Sequence, residues 1–408
     1  MLAAAALFWT VFASPRAPQR ATFYVFGGLV SVEVRGASRD AANAAFVEID
    51  NQLHRDERAW HPWQRPSALM DLNAAIARGE PYRAPPELAG LIRAAQQGYH
   101  DSDGLFDAAI GALVTAWGYH TGTFPVNAPS PSPARVAALD AKRPGMGDIR
   151  VAADGTVISD NRRIALDLDG LAEGYAAEQI ATILRAHGIG NAIVNVGGDV
   201  LALGTADGRP WRVAIESPDG GVFASLQLSG HEALFSSGNY HKYRMIAGRR
   251  RAHIIDPRTG APVEGTAATS VIMGNATRAD VGSTALMVAG PKDFARIARS
   301  LHASCTMLLT DDDHLYIMPE MQKRIALLRK PAAITIVQMP TAGCDRHQRP
   351  VRSDTLTLQP AFSAEPHPGG FRSHLPDMPA IQEIASSAAR CIRGYEKWSG
   401  RNPAIHPA

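Results

Sequence analysis

At Gly188 the sequence changes rhythm, and that change limits the fold more than any other feature. Before it, apolar residues recur at helical spacing: Leu88, Leu91, Ile92 and Ala95 follow Pro85-Pro86, and Ala176, Ile180, Ile183, Leu184 and His187 lead up to Gly188. After it, "AIVNVGGDVLALG", "WRVAIE", "ASLQLSG", "ALFSSG" and "KYRMI" read as short strands separated by turn residues. Helix and strand without regular βαβ alternation predict an α+β fold rather than a doubly wound parallel sheet.

The flanks complete that picture. "TFYVFGGLVSVEV", Thr22 to Val34, reads as a strand or a bent pair of strands around Gly27-Gly28. A helix begins near Asp40 and carries Phe46, Ile49 and Leu53 on one side, and "GLFDAAIGALVTAWGY" reads as a further helical segment closed by Gly118. Val151 to Ile158 and Ile164 to Leu168 are strand-like. Helices are expected over Ala276 to Val288 and Lys292 to Leu301, with "CTMLLTDDDHLYIM" as a final hairpin. From Pro331 onward prolines are frequent and no period is sustained, which predicts a mostly disordered tail with one amphipathic helix over Ile381 to Tyr395.

Composition excludes more than it identifies. With 408 residues there is room for one large or two average domains, and 41 basic against 39 acidic residues leave no electrostatic case for nucleic acid. Cys305, Cys344 and Cys391 match neither a disulfide framework nor a zinc pattern. The apolar run from Leu2 to Ala13 has the length of a signal-peptide core and is too short to span a bilayer, so residues 1–20 read as an export signal or a membrane tether.

Four constellations bear on chemistry. In "RADVGSTALMVAG", Asp280 and Thr284 stand four apart on a helix, a carboxylate and a hydroxyl on one face, suited to Mg²⁺ or Ca²⁺ or simply solvated. In "HIIDPRTGAPV", ordinary turn chemistry accounts for Asp256, Pro257 and Gly260, leaving His253 as either a general base or a structural histidine. "NVGGDV" and "SSGNY" are turns whose amides can meet a phosphate, or routine hairpin turns. "DLDGLAEGYAAEQ" gathers Asp167, Asp169, Glu173 and Glu178, which form either a solvated, capped helix face or part of a site for a cation and a phosphate. Asp107, odd in its apolar surroundings, caps a helix or faces a ligand.

In this order, "FGGLVSVEV", "PSALMDLN", "GLFDAAIGALVTAWGY", "ALDLDGLAEGYAAEQ", "GIGNAIVNVGGDVLALG", "SSGNYHKY", "HIIDPRTGAPV", "ADVGSTALMVAG" and "LYIMPEMQKRI" resemble the FAD:protein FMN transferase family, also called the ApbE or flavin transferase family, over roughly Thr22 to Leu328. The resemblance implies a single mixed α+β domain over residues 21–330, followed by a Pro-rich tail over residues 331–408. It implies FAD as substrate, Mg²⁺ or another divalent ion as cofactor, and transfer of FMN to a threonine of an acceptor protein with release of AMP. That acceptor would be a subunit of a membrane redox complex, reached from the periplasmic side.

Carried over by position, the metal would be held by the side chains of Asp280 and Thr284 and the carbonyl of Gly170. FAD contacts would fall on Phe26, Trp63, Leu105, Phe106, Asp107, Asp167, Glu173 and Ile255, with His253 as base toward the acceptor threonine. Asp169 and Glu178 then revert to cap and solvated face. The chain departs from the family pattern at Glu173, where many members carry Lys, at Phe26 and Gly28, where Met and Thr are frequent, and at Trp63, where Tyr is. The alternatives are a metal-dependent FAD pyrophosphatase, which uses the same site with water as nucleophile, and a non-catalytic flavin-binding protein.

Overall fold

A computed structural model describes residues 17–140 and 144–338. Most of the N-terminal segment, the helix expected over 381–395 and the tail beyond 338 lie outside the described residues.

Nine strands form the main sheet in the order in which the chain makes them: β1 (Gln19–Val25), β2 (Gly28–Val34), β3 (Ala192–Val196), β4 (Asp199–Gly204), β5 (Gly230–Gly238), β6 (Thr266–Met273), β7 (Thr306–Thr310), β8 (His314–Ile317) and β9 (Ala333–Ile336). Neighbours are antiparallel except β8 and β9, which run parallel. The fold therefore continues past the expected boundary at Pro331, because β9 completes the edge of the sheet.

Because alternate residues of a strand point to opposite faces, the sheet has two cores. Leu201, Leu203, Ala233 and Phe235 face one side with α1 (Arg39–Trp60), α2 (Ala68–Arg78) and α3 (Pro86–Asp101). Val200, Ala202 and Leu234 face the other, against a three-stranded sheet of Trp211–Glu216, Val222–Leu228 and Ala326–Leu327. A smaller apolar group joins Leu113 of α4 (Gly111–Ala116) to Trp117, Tyr119, Val126 and Ile255, with Val136 and Leu139 of α5 (Pro133–Asp140) against it.

Two helices of the first core place the site. α6 (Asp169–Ala186) and α7 (Ala276–Ser300) meet at Gly174, where an added Cβ would lie 2.5 Å from the Ala276 carbonyl oxygen and 2.8 Å from Asp280 Cβ. No side chain fits there, so glycine sets how closely the helices approach. Gly290, with φ of 60°, breaks α7 just before Pro291, matching the two helices expected from the sequence.

Two sequence expectations change. The helix expected across "GLFDAAIGALVTAWGY" contracts to α4, because the residues before it commit their amides to turns: Phe106 N donates to Ser102 Oγ and Ala109 N to Asp107 Oδ1, each at 2.9 Å. Ile164 to Leu168 is not a strand. The side chain of Asn73 takes both backbone groups of Leu166, at 2.7 and 2.9 Å, leaving one bridge from Ala165 to Ile110.

Candidate functional site

The start of α6 and the middle of α7 form a wall of oxygen atoms. Asp280 is 8% exposed, and its Oδ2 accepts the Gly174 amide at 2.9 Å. In a regular helix that amide serves the Gly170 carbonyl, so this carbonyl keeps acceptor capacity at the end of the wall. A Cβ on Gly170 would lie 3.8 Å from Thr284 Oγ1, which places Gly170 beside the Asp280 and Thr284 pair. Ser237 Oγ of β5 lies 2.8 Å from Ser283 Oγ and 3.4 Å from Thr284 Oγ1. Carbonyl, carboxylate and hydroxyl are the donor types a hard divalent cation takes. Among the described residues no three His, Cys, Asp or Glu side chains are placed to hold a metal, and the set here contains one carboxylate.

Electrostatics set this wall apart. Burial raises the pKa of Asp280 well above the carboxylate range, and Glu173 adds to the rise. Asp199 shifts the same way through burial, Glu173 and Asp280, although its Oδ1 accepts the Ser236 amide at 2.7 Å. Glu173 is itself raised by burial and lies against the Gly197 turn, where an added Cβ would meet its Oε2 at 2.9 Å. The nearby cation opposing all three is the exposed Lys242. Three mutually repelling carboxylates facing one lysine leave a deficit of positive charge that a bound cation would fill. The donor set and the charge therefore fit a divalent ion.

Beside this wall lies a compensated carboxylate. Burial works against the charge of Asp167, but the bond from His120, the His120 charge and the Asp169 amide together hold its pKa below the usual range. His120 Nε2 lies 2.9 Å from Asp167 Oδ2, and the Asp169 amide reaches Oδ1 at 3.0 Å. Asp167, not Asp169, thus serves the first amide of α6. Asp169 meets solvent in the cleft, and surrounding protein together with Asp167 and Glu173 raises its pKa. Glu178, expected on a solvated face, instead accepts the Ala276 amide at 2.6 Å and ties α6 to the start of α7.

Aromatic groups close the cleft. The Trp63 ring stacks on His120 at 5.0 Å and 19°, and meets His61 edge-on at 4.6 Å. Phe26 stacks on Trp60 at 5.8 Å and 9°. Phe26 occupies the first position of the β1–β2 turn with φ of 56°, followed by Gly27 at 70°. Positive φ at both residues marks a type I′ hairpin turn. A bulky residue rarely adopts that conformation; here its amide donates to Glu57 Oε1 at 3.0 Å, and the stack holds its ring.

His253 lies within electrostatic reach of Asp167 and Lys242. Its backbone amide and ring Nδ1 lie 3.0 and 3.2 Å from the Lys242 carbonyl. A carbonyl only accepts, so Nδ1 carries the hydrogen and Nε2 is left with a lone pair. Burial first, then the Lys242 charge, lower its pKa to about 4, so the ring is neutral at neutral pH.

The expected residues divide accordingly. Gly170, Glu173, Asp280 and Thr284 converge; Asp167 and Trp63 meet through His120; His253 lies within electrostatic reach of Asp167, and Phe26 stacks on Trp60. Leu105 and Phe106, each 4% exposed, are core residues, with Phe106 packed under Gly170. Ile255 is buried beside Trp117. Asp107 lies near Tyr99 and the Gly145 turn, its pKa raised by burial to about 7. His120, Asp199 and Lys242 were not among the expected residues. Asp199 lies inside a turn motif read for its glycines, Lys242 opens the "KYRMI" segment read only as a strand, and His120 follows "WGY" with nothing in its spacing to mark it.

The ApbE family profile matches residues 26–309. An FAD:protein FMN transferase of Rhodobacter capsulatus is 39% identical over 333 residues, covering 81% of this chain and 63% of that protein. The chain thus spans less than two thirds of that relative's length. An FAD:protein FMN transferase of Klebsiella pneumoniae (strain 342) is 30% identical over 290 residues, covering 69% of this chain and 81% of that protein. The apo crystal structure of Pseudomonas stutzeri flavinyl transferase ApbE superposes with a TM-score of 0.64 at 28% identity, covering 73% of this chain and 92% of that one. The fold is that of solved structures of the flavin transferase class of enzymes. The chain belongs to the ApbE family.

Proposed function

We infer that this chain transfers the FMN moiety of FAD to an acceptor protein and releases AMP, with Mg²⁺ or a similar divalent ion bound to Asp280, Thr284 and the Gly170 carbonyl. The observation that carries this reading is the oxygen wall of α6 and α7, whose excess negative charge has one facing lysine. A diphosphate adds further negative charge, so an added cation strengthens substrate binding beside these carboxylates. When bound, a divalent ion neutralises charge on the phosphoryl oxygens.

This chain's own residues supply the rest. Asp167, Glu173 and the rings of Phe26 and Trp63 bind and orient the flavin half. His253, neutral with Nε2 open, takes the proton from the acceptor threonine hydroxyl. The threonine oxygen forms a bond to the FMN phosphorus, the bond from that phosphorus to the bridging oxygen breaks, and AMP leaves with that oxygen. The nucleophile belongs to the acceptor, so the reaction calls for no serine or cysteine nucleophile in this chain. The signal-length apolar run near the N-terminus supports a periplasmic site of action and an acceptor in a membrane redox complex.

Product analysis tests the reading. Protein, FAD, Mg²⁺ and an acceptor domain should yield AMP and an acceptor heavier by one FMN group, lost when the acceptor threonine becomes alanine. AMP with free FMN and an unchanged acceptor would make the protein a pyrophosphatase.

A further inference from the structure

We propose that His120 is the positioning residue of the flavin pocket: bonded between Thr115 and Asp167 and stacked on Trp63, it fixes the carboxylate and the indole relative to one another. The proposal rests on the flavin reading above and adds a residue to it.

The geometry is specific. Thr115 Oγ1 donates to the Gly111 carbonyl at 2.9 Å, so toward His120 Nδ1, also at 2.9 Å, it accepts. On the other side, Nε2 faces Asp167 Oδ2 at 2.9 Å. Both ring nitrogens are therefore engaged, and one ring orientation satisfies both partners. The side chains of His120 and Asp167 are 13% and 10% exposed, dry enough that a lost bond is not made good by bulk water. Trp63 lies flat on this fixed ring, and its far edge meets His61, whose Nδ1 accepts the amides of Trp63 and Gln64 at 3.3 and 3.1 Å.

The loop carrying His120 is held as firmly. Arg244 donates to the carbonyls of Trp117 and Ala128, both at 2.5 Å, and the Val126 amide donates to the Tyr243 carbonyl at 2.9 Å. The strand next to Lys242 thereby anchors the segment that aims His120 at Asp167. His120 has no reacting atom to serve: its two nitrogens are occupied, so it acts through Asp167 and Trp63.

The test separates donor from ring. His120→Ala removes both, His120→Gln keeps a donor toward Asp167, and His120→Phe keeps a flat ring on Trp63. FAD affinity is read by fluorescence titration without divalent ion or acceptor, and folding by thermal melting. His120→Ala should weaken FAD binding about ten-fold or more, and Gln and Phe should each recover part of the loss. In turnover, KM for FAD should rise while kcat stays within about two-fold. Alanine binding FAD as the wild type does, or Gln and Phe both failing to recover anything while melting normally, overturns the proposal. A wild type that binds FAD but modifies no acceptor overturns the transfer reading alone. A wild type that binds no FAD overturns the flavin reading and this proposal with it.

Discussion

Asp167 and Asp280 lie on the same cleft and are kept in opposite electrostatic conditions. Asp167 has His120 and a backbone amide as partners, which hold its pKa low in spite of burial. Asp280 has one amide partner and two acidic neighbours, and its pKa is pushed well up. The difference teaches that burial does not decide a carboxylate's role; compensation does. The first is complete within the protein and suited to hold a ligand. The second is left short of compensation, and that is where we propose the metal binds.

The most severe way to break this comparison is Asp280→Ala. It should reduce flavin transfer by about 10³-fold or more, since the bound ion's charge is lost with its anchoring carboxylate. Metal-free protein should melt no lower than wild type, because the substitution also removes a repelled charge. His253→Ala comes next: kcat should fall by about 10² to 10⁴-fold with FAD affinity unchanged, as measured by single-turnover kinetics and titration. Asp167→Asn is smaller, about ten-fold in KM for FAD with metal affinity retained. Transfer that depended equally on Asp167 and Asp280 for metal would erase the distinction.

A pH series sharpens it further. Protons compete with the cation for Asp280, whose pKa is raised, so divalent-ion affinity should weaken steadily as pH falls through neutrality. Over the same range His253 stays neutral, since its pKa is near 4, so loss of the base should not limit the rate.

A last effect lies away from the cleft. Asp56 of α1 is 0% exposed, with Oδ1 bonded to Gln52 Nε2 at 2.9 Å and Oδ2 unpaired. Burial raises its pKa from 3.8 to about 7. A raised carboxyl binds its proton more tightly in the folded state, so its contribution to stability is present below 3.8 and lost as pH rises to about 7. Asp56→Asn should therefore gain on wild type across that interval and level off above it, by on the order of a few kcal/mol in urea unfolding at pH 8.

Much of this was legible in the sequence because it was periodic or ordered. The break at Gly290-Pro291, the hairpin from β7 to β8 and the Asp280 and Thr284 pair all follow from local rules. The misses share a different cause. Leu166 lies in a strand-like sequence, yet Asn73, far away in the chain, takes its backbone bonds and denies it a strand. His120 reaches Asp167 only because the loop after α4 is pinned to the strand carrying Arg244. Glu178 looked like one more acid on a helix surface until the start of α7 came to rest on it. In each case the deciding partner is remote in sequence, and no window of neighbouring residues contains it.

The most direct measurement is calorimetric titration of Mg²⁺ into FAD-loaded wild type, Asp280→Ala and Asp167→Asn. Loss of binding in Asp280→Ala with near-normal binding in Asp167→Asn is the predicted result. Undiminished binding in Asp280→Ala, or equal loss in both, would contradict the assignment of the metal to the wall between α6 and α7.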